Sequence, residues 1–563
     1  MSSIKYTFYG NVISIKDGII IATGLRNVSY GELVCFNNDS NVLGMIMTLE
    51  KSEVEIVILT SDSSIQIGNP IYRMETGLGD FGKFPSIKVG YNLLGKHIDV
   101  LGNILNKDDL TNEEIFEYEQ LNLNYKSVFR KAPGIIYRES VRYPFYTGYQ
   151  VIDNFFPIGC GQRELLIGDK FTGKTTIAVT AILNQRDNNK ALLSELGQLD
   201  TINNYMKKNT VFCIYSAIGQ RRSTVLRVYN LLKKEKALYY SCVVSSTSSC
   251  KAVLQYLTPY VGTTIGEHFM DTGHNAFVVY DDLSNHSVAY RQMALLLRRP
   301  PGREAYPGDI FYLHSSLLER SAQMHKRFGG GSLTSFPIIE TQCGDVSSYI
   351  PTNVISITDG QIYLDKNLFN RGIRPAVHTG LSVSRVGSNA QNASVKLYAK
   401  KLKIQYDEFH RYIASFTGAD SGADSIFSKI LNNGLRLREI FIQRYPRSFY
   451  EQLVTGYTSL MGFTTKISPP FLYTYYQLFF DSDYLKQLLY HYHRKNTLLT
   501  HISVYFMYIY PFKQIFNYFF NTYSMDILRK VINFDLLFSA FTKIFANQFQ
   551  HALEHVSKEK KHK

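Results

Sequence analysis

The chain opens with short apolar runs of strand length. Asn11-Val12-Ile13-Ser14-Ile15, Ile19-Ile20-Ile21-Ala22, Leu33-Val34-Cys35-Phe36 and Val54-Glu55-Ile56-Val57-Ile58-Leu59 are mostly bounded by turn signals such as Asp-Gly, Gly-Glu or Asn-Asp. Many short strands at this spacing predict an N-terminal β-barrel over residues 1–86, with a Gly-rich join at 77–82. From 87 to 392, apolar strands alternate with helix-prone stretches, which predicts an α/β domain with a parallel sheet covered by helices. After 393 the period becomes helical. At 526–556, Ile527, Val531, Leu537, Phe541, Ile544 and Phe545 recur at helical spacing, so 393–563 reads as an α-helical domain whose aromatic stripe is core. The longest apolar stretch, 501–520, is interrupted by Pro511 and Lys513. A membrane span needs about 20 mainly apolar residues, so this stretch reads as a buried or interfacial helix. No repeat of about 20–50 residues is visible.

One segment carries chemistry by its spacing. Gly168-Asp169-Lys170-Phe171-Thr172-Gly173-Lys174-Thr175 fits G-x-x-x-x-G-K-[ST]. It follows the apolar run Glu164-Leu165-Leu166-Ile167 and leads into Thr176-Ile177-Ala178-Val179. Strand, glycine loop and helix are the context in which backbone N–H groups converge on phosphate oxygens and the helix dipole favours an anion. The motif therefore predicts a nucleoside triphosphate site, with Lys174 on the outer phosphates and the Thr175 hydroxyl on Mg²⁺. A second strand, Ala276-Phe277-Val278-Val279-Tyr280, ends in Asp281-Asp282. Asp281 suits a water-mediated contact to that cation.

Composition changes this picture little. The 563 residues are too many for one core, at roughly 150 residues per domain. There are 41 Tyr, 36 Phe and no Trp, which with abundant Asn and Lys reads as coding bias of an AT-rich genome. The net charge of +14 raises the question of nucleic acid or acidic membrane partners, but part of the excess lies at 557–563. The six cysteines form no C-x-x-C pair; they predict reduced thiols in a non-secretory compartment, neither a disulfide framework nor a zinc site. No signal or transit peptide precedes the first strand-like run.

Longer motifs identify a family. Ala132-Pro133-Gly134-Ile135-Ile136, Asp281-Asp282-Leu283-Ser284, the run from Arg298 through Pro307-Gly308-Asp309, Ile350-Pro351-Thr352-Asn353-Val354-Ile355-Ser356-Ile357-Thr358-Asp359-Gly360-Gln361 and Gly380-Leu381-Ser382-Val383-Ser384-Arg385-Val386-Gly387-Ser388 resemble the alpha subunits of F-type rotary ATP synthases. The resemblance runs from about residue 10 to 457. It implies a barrel, a RecA-like P-loop domain and a helical domain, bound ATP or ADP with Mg²⁺, and an alternating ring of three alpha and three beta chains. It also implies a central gamma shaft, peripheral stalk subunits and membrane association only through the complex. The implied place is the matrix face of the mitochondrial inner membrane, with a bacterial or plastid origin also open.

The same resemblance implies roles. Catalytic beta chains carry a Glu after the strand that follows their P-loop; here Ile218-Gly219-Gln220-Arg221-Arg222 stands there. Gln220 is neutral at pH 7 and is no general base. Arg385 is implied to reach the neighbouring beta site, where such an arginine is worth about 10³–10⁵ in rate. Arg374 and Pro375 resemble a loop beside the adenine ring, and Gln443 a glutamine that also contacts it, although Gln443-Arg444-Tyr445-Pro446 departs from the family's Q-x-Q. Phe171 stands where the family usually has Gln, and Lys170 where it has Arg. The family's N-terminal helix is nearly absent, and beyond about 463 the chain is aromatic-rich and divergent, either a surface for lineage-specific subunits or drift. An RNA-translocating motor of the Rho type is the alternative. Against it, the first block lacks the aromatic and basic interleaving that stacks single-stranded bases, so no nucleic-acid partner is expected.

Overall fold

The computed structural model describes residues 5–460, apart from 26, 37–38, 61–64, 76–83, all but two of 111–123, 187, 190–209 and 416–424. The join at 77–82, the extension from 463 and the helical pattern at 526–556 lie outside the described residues.

Six antiparallel strands close the N-terminal barrel: β1 (Lys5–Lys16), β2 (Ile19–Thr23), β3 (Leu33–Phe36), β4 (Asp39–Leu49), β5 (Glu53–Ile58) and β6 (Pro70–Glu75), in the order β1-β2-β5-β4-β3-β6. Closure removes the free edges that a small sheet would otherwise expose. Its interior is filled by Val12, Ile20, Val34, Phe36, Ile46, Ile56, Ile58 and Ile71. Two of its strands are not plain in the sequence. β4 starts with Asp39-Ser40-Asn41, which reads as a turn. β6 starts on Pro70 and carries Arg73, whose ion pair with the buried Glu32 keeps a charge inside the β3–β6 pairing.

The barrel and the nucleotide-binding-type sheet belong to one compact unit, made of Met1–Tyr143, Ile158–Lys366 and Leu381–Asn389. Its sheet has eight strands: β7 (His97–Ile98), β8 (Glu164–Asp169), β9 (Val211–Gln220), β10 (Ser241–Thr247), β11 (Asn275–Asp281), β12 (Ser332–Thr341), β13 (Gly360–Leu364) and β14 (Val383–Ser384). Their order is β14-β13-β8-β12-β11-β9-β10-β7, parallel except for the edge pair β13–β14. Every residue of β8 and the first eight of β9 are buried. That explains the continuous apolar runs read as strands, since a parallel sheet is covered on both faces.

A second unit, described by itself, takes in Pro144–Pro157, Asn367–Gly380 and the chain from Ala390. Its described helices include α1 (Gln150–Phe155) and three long ones at Ala393–Ser415, Ser425–Phe441 and Phe449–Leu460. Rings of Phe155, Tyr406 and Phe441 pack together in its core. Buried Asp153 accepts from the Thr147 N–H and hydroxyl, the Gly148 N–H and Gln452 Nε2. No described helix is long and apolar enough to cross a membrane.

Candidate nucleotide site

The P-loop leaves the C-terminal end of β8, the position where open parallel sheets bind ligands. Helix α2 (Lys174–Asn184) starts directly after Gly173, whose φ of 98° is left-handed. Only a glycine takes that turn without cost, and the turn brings the helix N-terminus up to the loop. Lys174 folds over the loop, and Nζ donates to the carbonyls of Gly168 at 2.8 Å and Asp169 at 2.6 Å. Thr172 closes the turn by donating to the Asp169 carbonyl. The Asp169 carboxylate accepts from the Thr341 hydroxyl and the Gly344 N–H, which ties the loop to the end of β12.

The strand ends opposite supply the other half of the site. Thr175 Oγ1 donates to Asp281 Oδ2 at 2.8 Å, and the Tyr215 hydroxyl, from β9, donates to the same oxygen at 2.6 Å. Gln220 Nε2 reaches Asp281 Oδ1 at 3.2 Å and Asp282 Oδ2 at 3.5 Å. Asp282 also caps helix α3 (Leu283–Leu296) by accepting from Asn285 N. The predicted site residues from Gly168 to Thr176, Gln220 and Asp281 therefore come together around one loop. Tyr215, Asp282 and Glu340 join them without having been singled out by the sequence. Tyr215 lies inside a mostly apolar strand, next to Ser216.

The electrostatics follow from burial. Burial pushes the Asp282 carboxyl up to about 8, helped by the neighbouring Asp281 charge. Asp281 is raised as well, again by burial, against hydrogen bonds from Tyr215 and Thr175 that favour its ionised form. Lys174 is lowered by burial while Glu340, Asp282, Asp281 and Asp169 pull it back. Four carboxyls thus face one ammonium and a helix N-terminus. That combination suits a phosphate chain with a divalent cation, which adds negative and positive charge together. Among the described residues no group of three or more His, Cys, Asp or Glu could cage a metal. A P-loop would hold Mg²⁺ through one hydroxyl, phosphate oxygens and water, with a carboxylate behind; Thr175 and Asp281 would be that hydroxyl and that carboxylate.

Two predicted positions differ from the loop's interior. Phe171 is 89% exposed with φ 64°, unusual for a bulky side chain. Lys170 is exposed and sits 3.6 Å from Glu340.

Arg374, Pro375 and Gln443 belong to the second unit and meet one another there. Gln443 N donates to the Arg374 carbonyl at 2.8 Å. Its side chain is engaged at both ends, with Oε1 accepting from Gln150 N and Nε2 donating to the Gly148 carbonyl. The Arg374 guanidinium lies over the Phe369 ring at 4.5 Å.

Arg385 is not part of the P-loop cluster. It follows β14, with its N–H on the Asp359 carbonyl at 2.9 Å and its guanidinium on the Ile355 carbonyl at 3.3 Å. In register, Glu164 of β8 pairs with Gly360, and Gly360 with Ser384. Arg385 thus flanks the N-terminal end of β8, roughly 13 Å along the strand from Gly168 at the usual strand rise.

Comparison with known proteins agrees with this architecture. Residues 148–384 match the ATP synthase alpha/beta family nucleotide-binding domain, and residues 8–75 match that family's beta-barrel domain. ATP synthase subunit alpha of Neorickettsia sennetsu is 47% identical over 460 residues, 81% of this chain and 84% of that protein. Mitochondrial ATP synthase subunit alpha of Dictyostelium citrinum is 48% identical over 475 residues, 82% and 83% of the two chains. ATP synthase subunit alpha of Ehrlichia ruminantium is 46% identical over 467 residues, 83% and 86%. Bacterial and mitochondrial relatives both occur, and none of these three is an RNA motor, so the Rho-type alternative is not favoured. With barrel, P-loop sheet and C-terminal helices all in place, the chain belongs to the ATP synthase alpha/beta family, among its alpha subunits.

Proposed function

We propose that this chain binds Mg-ATP or Mg-ADP at a non-catalytic, regulatory site and supplies Arg385 to the catalytic site of an adjacent beta chain. The observation that carries the reading is Gln220. It stands at the end of β9, within hydrogen-bond reach of Asp281 and Asp282, where hydrolysis would need a carboxylate to take a proton from water. An amide donates to those carboxyls and takes no proton. Lys174 and the first turn of α2 would hold the phosphates, Thr175 the cation, and Asp281 the cation's water. Bound Mg²⁺ would supply the positive charge that holds the phosphate chain in the loop. Within the second unit, Gln443 braces the Arg374–Pro375 turn through the Arg374 carbonyl.

The surrounding assembly is part of the same proposal: an alternating ring of three alpha and three beta chains on a gamma shaft and peripheral stalk, at the matrix face of the mitochondrial inner membrane. The domain limits 1–86, 87–392 and 393–563 belong to it also. Arg385 provides the test. A planar guanidinium offsets charge that builds on the transferring phosphoryl group, so its effect is largest in the transition state. Multisite ATPase turnover of the reconstituted ring should fall by about 10³-fold or more with Arg385→Ala. Arg385→Lys, which keeps charge but loses the donor fork, should recover little of that loss. Near-native turnover in an intact Arg385→Ala ring would make Arg385 structural.

A further inference from the structure

The segment before the P-loop strand has no part in the nucleotide site, yet it is tied to Arg385. Gln162 is fully buried; its Nε2 donates to Glu164 Oε2 at 2.8 Å and to Ser384 Oγ at 3.0 Å. Glu164, Gly360 and Ser384 form one row across β8, β13 and β14. A Cβ on Gly360 would collide with the Val383 carbonyl and lie 2.6 and 2.8 Å from the two Glu164 carboxyl oxygens. Glycine at 360 therefore makes room for that carboxyl inside the sheet. Glu164 is fully buried, and its Oε1 has no hydrogen-bond partner among the described residues. Burying a carboxyl in such a place costs free energy, and a group kept there calls for an explanation. Burial holds it well above the usual carboxylate range; the Asp359 charge pushes the same way and the Arg385 guanidinium opposes.

We propose that Glu164 is a positioning residue for Arg385: through Gln162 its buried carboxyl fixes Ser384, and with it the direction in which the next residue leaves the sheet. The backbone on the other side is already held, since Arg163 makes a two-pronged pair with Asp359, whose carbonyl accepts the Arg385 N–H. The Glu164–Gln162–Ser384 chain is the second anchor. This inference rests on the reading of Arg385 as the group supplied to the neighbouring site.

The test measures kcat and KM for ATP in the assembled alpha–beta ring with Glu164→Ala, Gln162→Ala and Glu164→Gln, each with native Arg385 and with Arg385→Ala. Displacing a transition-state group by about 1 Å costs up to about 10²-fold, so Glu164→Ala and Gln162→Ala should lower kcat at least about 10-fold while KM stays within about twofold. Glu164→Gln keeps the shape and an acceptor for Gln162, and should recover most of the turnover. With Arg385→Ala there is no guanidinium to position, so Glu164→Ala should then cost nothing more. A further loss in that background would mark a general structural defect and overturn the proposal, as would native kcat in both Glu164→Ala and Gln162→Ala. If Glu164→Ala rings fail to assemble, Gln162→Ala decides. Native turnover with Arg385→Ala alone would instead remove the reading on which the proposal rests.

Discussion

Lys174 and Asp282 carry most of the site's electrostatic behaviour. Lys174 is the buried ammonium on the loop, and its hydrogen bonds to two loop carbonyls place Nζ where phosphate oxygens can take over as acceptors. A charge-assisted hydrogen bond contributes roughly 1.5–3 kcal/mol, so Lys174→Ala should weaken Mg-nucleotide binding about 10–100-fold in a fluorescent-nucleotide titration. An unchanged affinity would mean that the backbone cradle alone suffices. Asp282 gives a pH dependence. Its proton is retained to about pH 8 in the folded chain and lost near pH 4 in an unfolded one. Between these values the folded state binds more protons, so this group's contribution is full at low pH and is lost as pH rises towards 8. Asp282→Asn keeps the cap acceptor for Asn285 and removes the titration. Its Tm should therefore fall less steeply than that of the native chain from pH 6 to 9, and parallel curves would refute the assignment.

The elements divide into those the chain declares and those that only tertiary contact explains. β8 and α2 were legible because a buried parallel strand is continuously apolar and a P-loop has fixed spacing. β4 and β6 were not, because Asp39-Ser40-Asn41 and Pro70 are turn chemistry that barrel closure overrides. The site was legible in the same measure. Gly168 to Thr175 is a contiguous string, whereas Tyr215, Asp282 and Glu340 lie on or directly after three different strands far apart in the chain, and spacing along one sequence does not reveal that convergence. The helix Ala252–Asp271 shows what else remained hidden. Its Glu267 is fully buried and takes a two-pronged pair from the buried Arg320, at 2.8 and 2.7 Å. Arg320 also donates to the Val128 carbonyl. Removing Arg320 leaves the buried Glu267 with only the more distant Arg130, at 3.7 Å, so Arg320→Met should cost up to about 3–5 kcal/mol in urea unfolding. The double variant Glu267→Met with Arg320→Met should cost clearly less. Equal losses would mean that Arg320 acts through packing and not through the pair.

At the scale of the whole molecule, the charge fits the family reading. Four of the six cysteines are buried. The net charge of +14 needs no nucleic-acid partner once the chain is placed among alpha subunits. Residues 471–563 lie outside the described residues, and we expect their removal to change the size or dimerisation of the purified complex while nucleotide affinity at the P-loop stays native. Sedimentation of the complex beside a nucleotide titration would check this, and unaltered assembly would count against a docking role for the segment.

The central claim is that this chain holds a nucleotide that it does not turn over. The measurement that tests it most directly loads the purified full chain with Mg-ATP, removes free nucleotide, and follows the identity of what stays bound. The account predicts a near-stoichiometric ligand that remains ATP over many turnover times of the assembled complex, and a much smaller retained amount with Lys174→Ala. Conversion to ADP at a rate comparable to the complex, abolished by Gln220→Ala, would contradict it and make Gln220 a water-positioning residue of an active site.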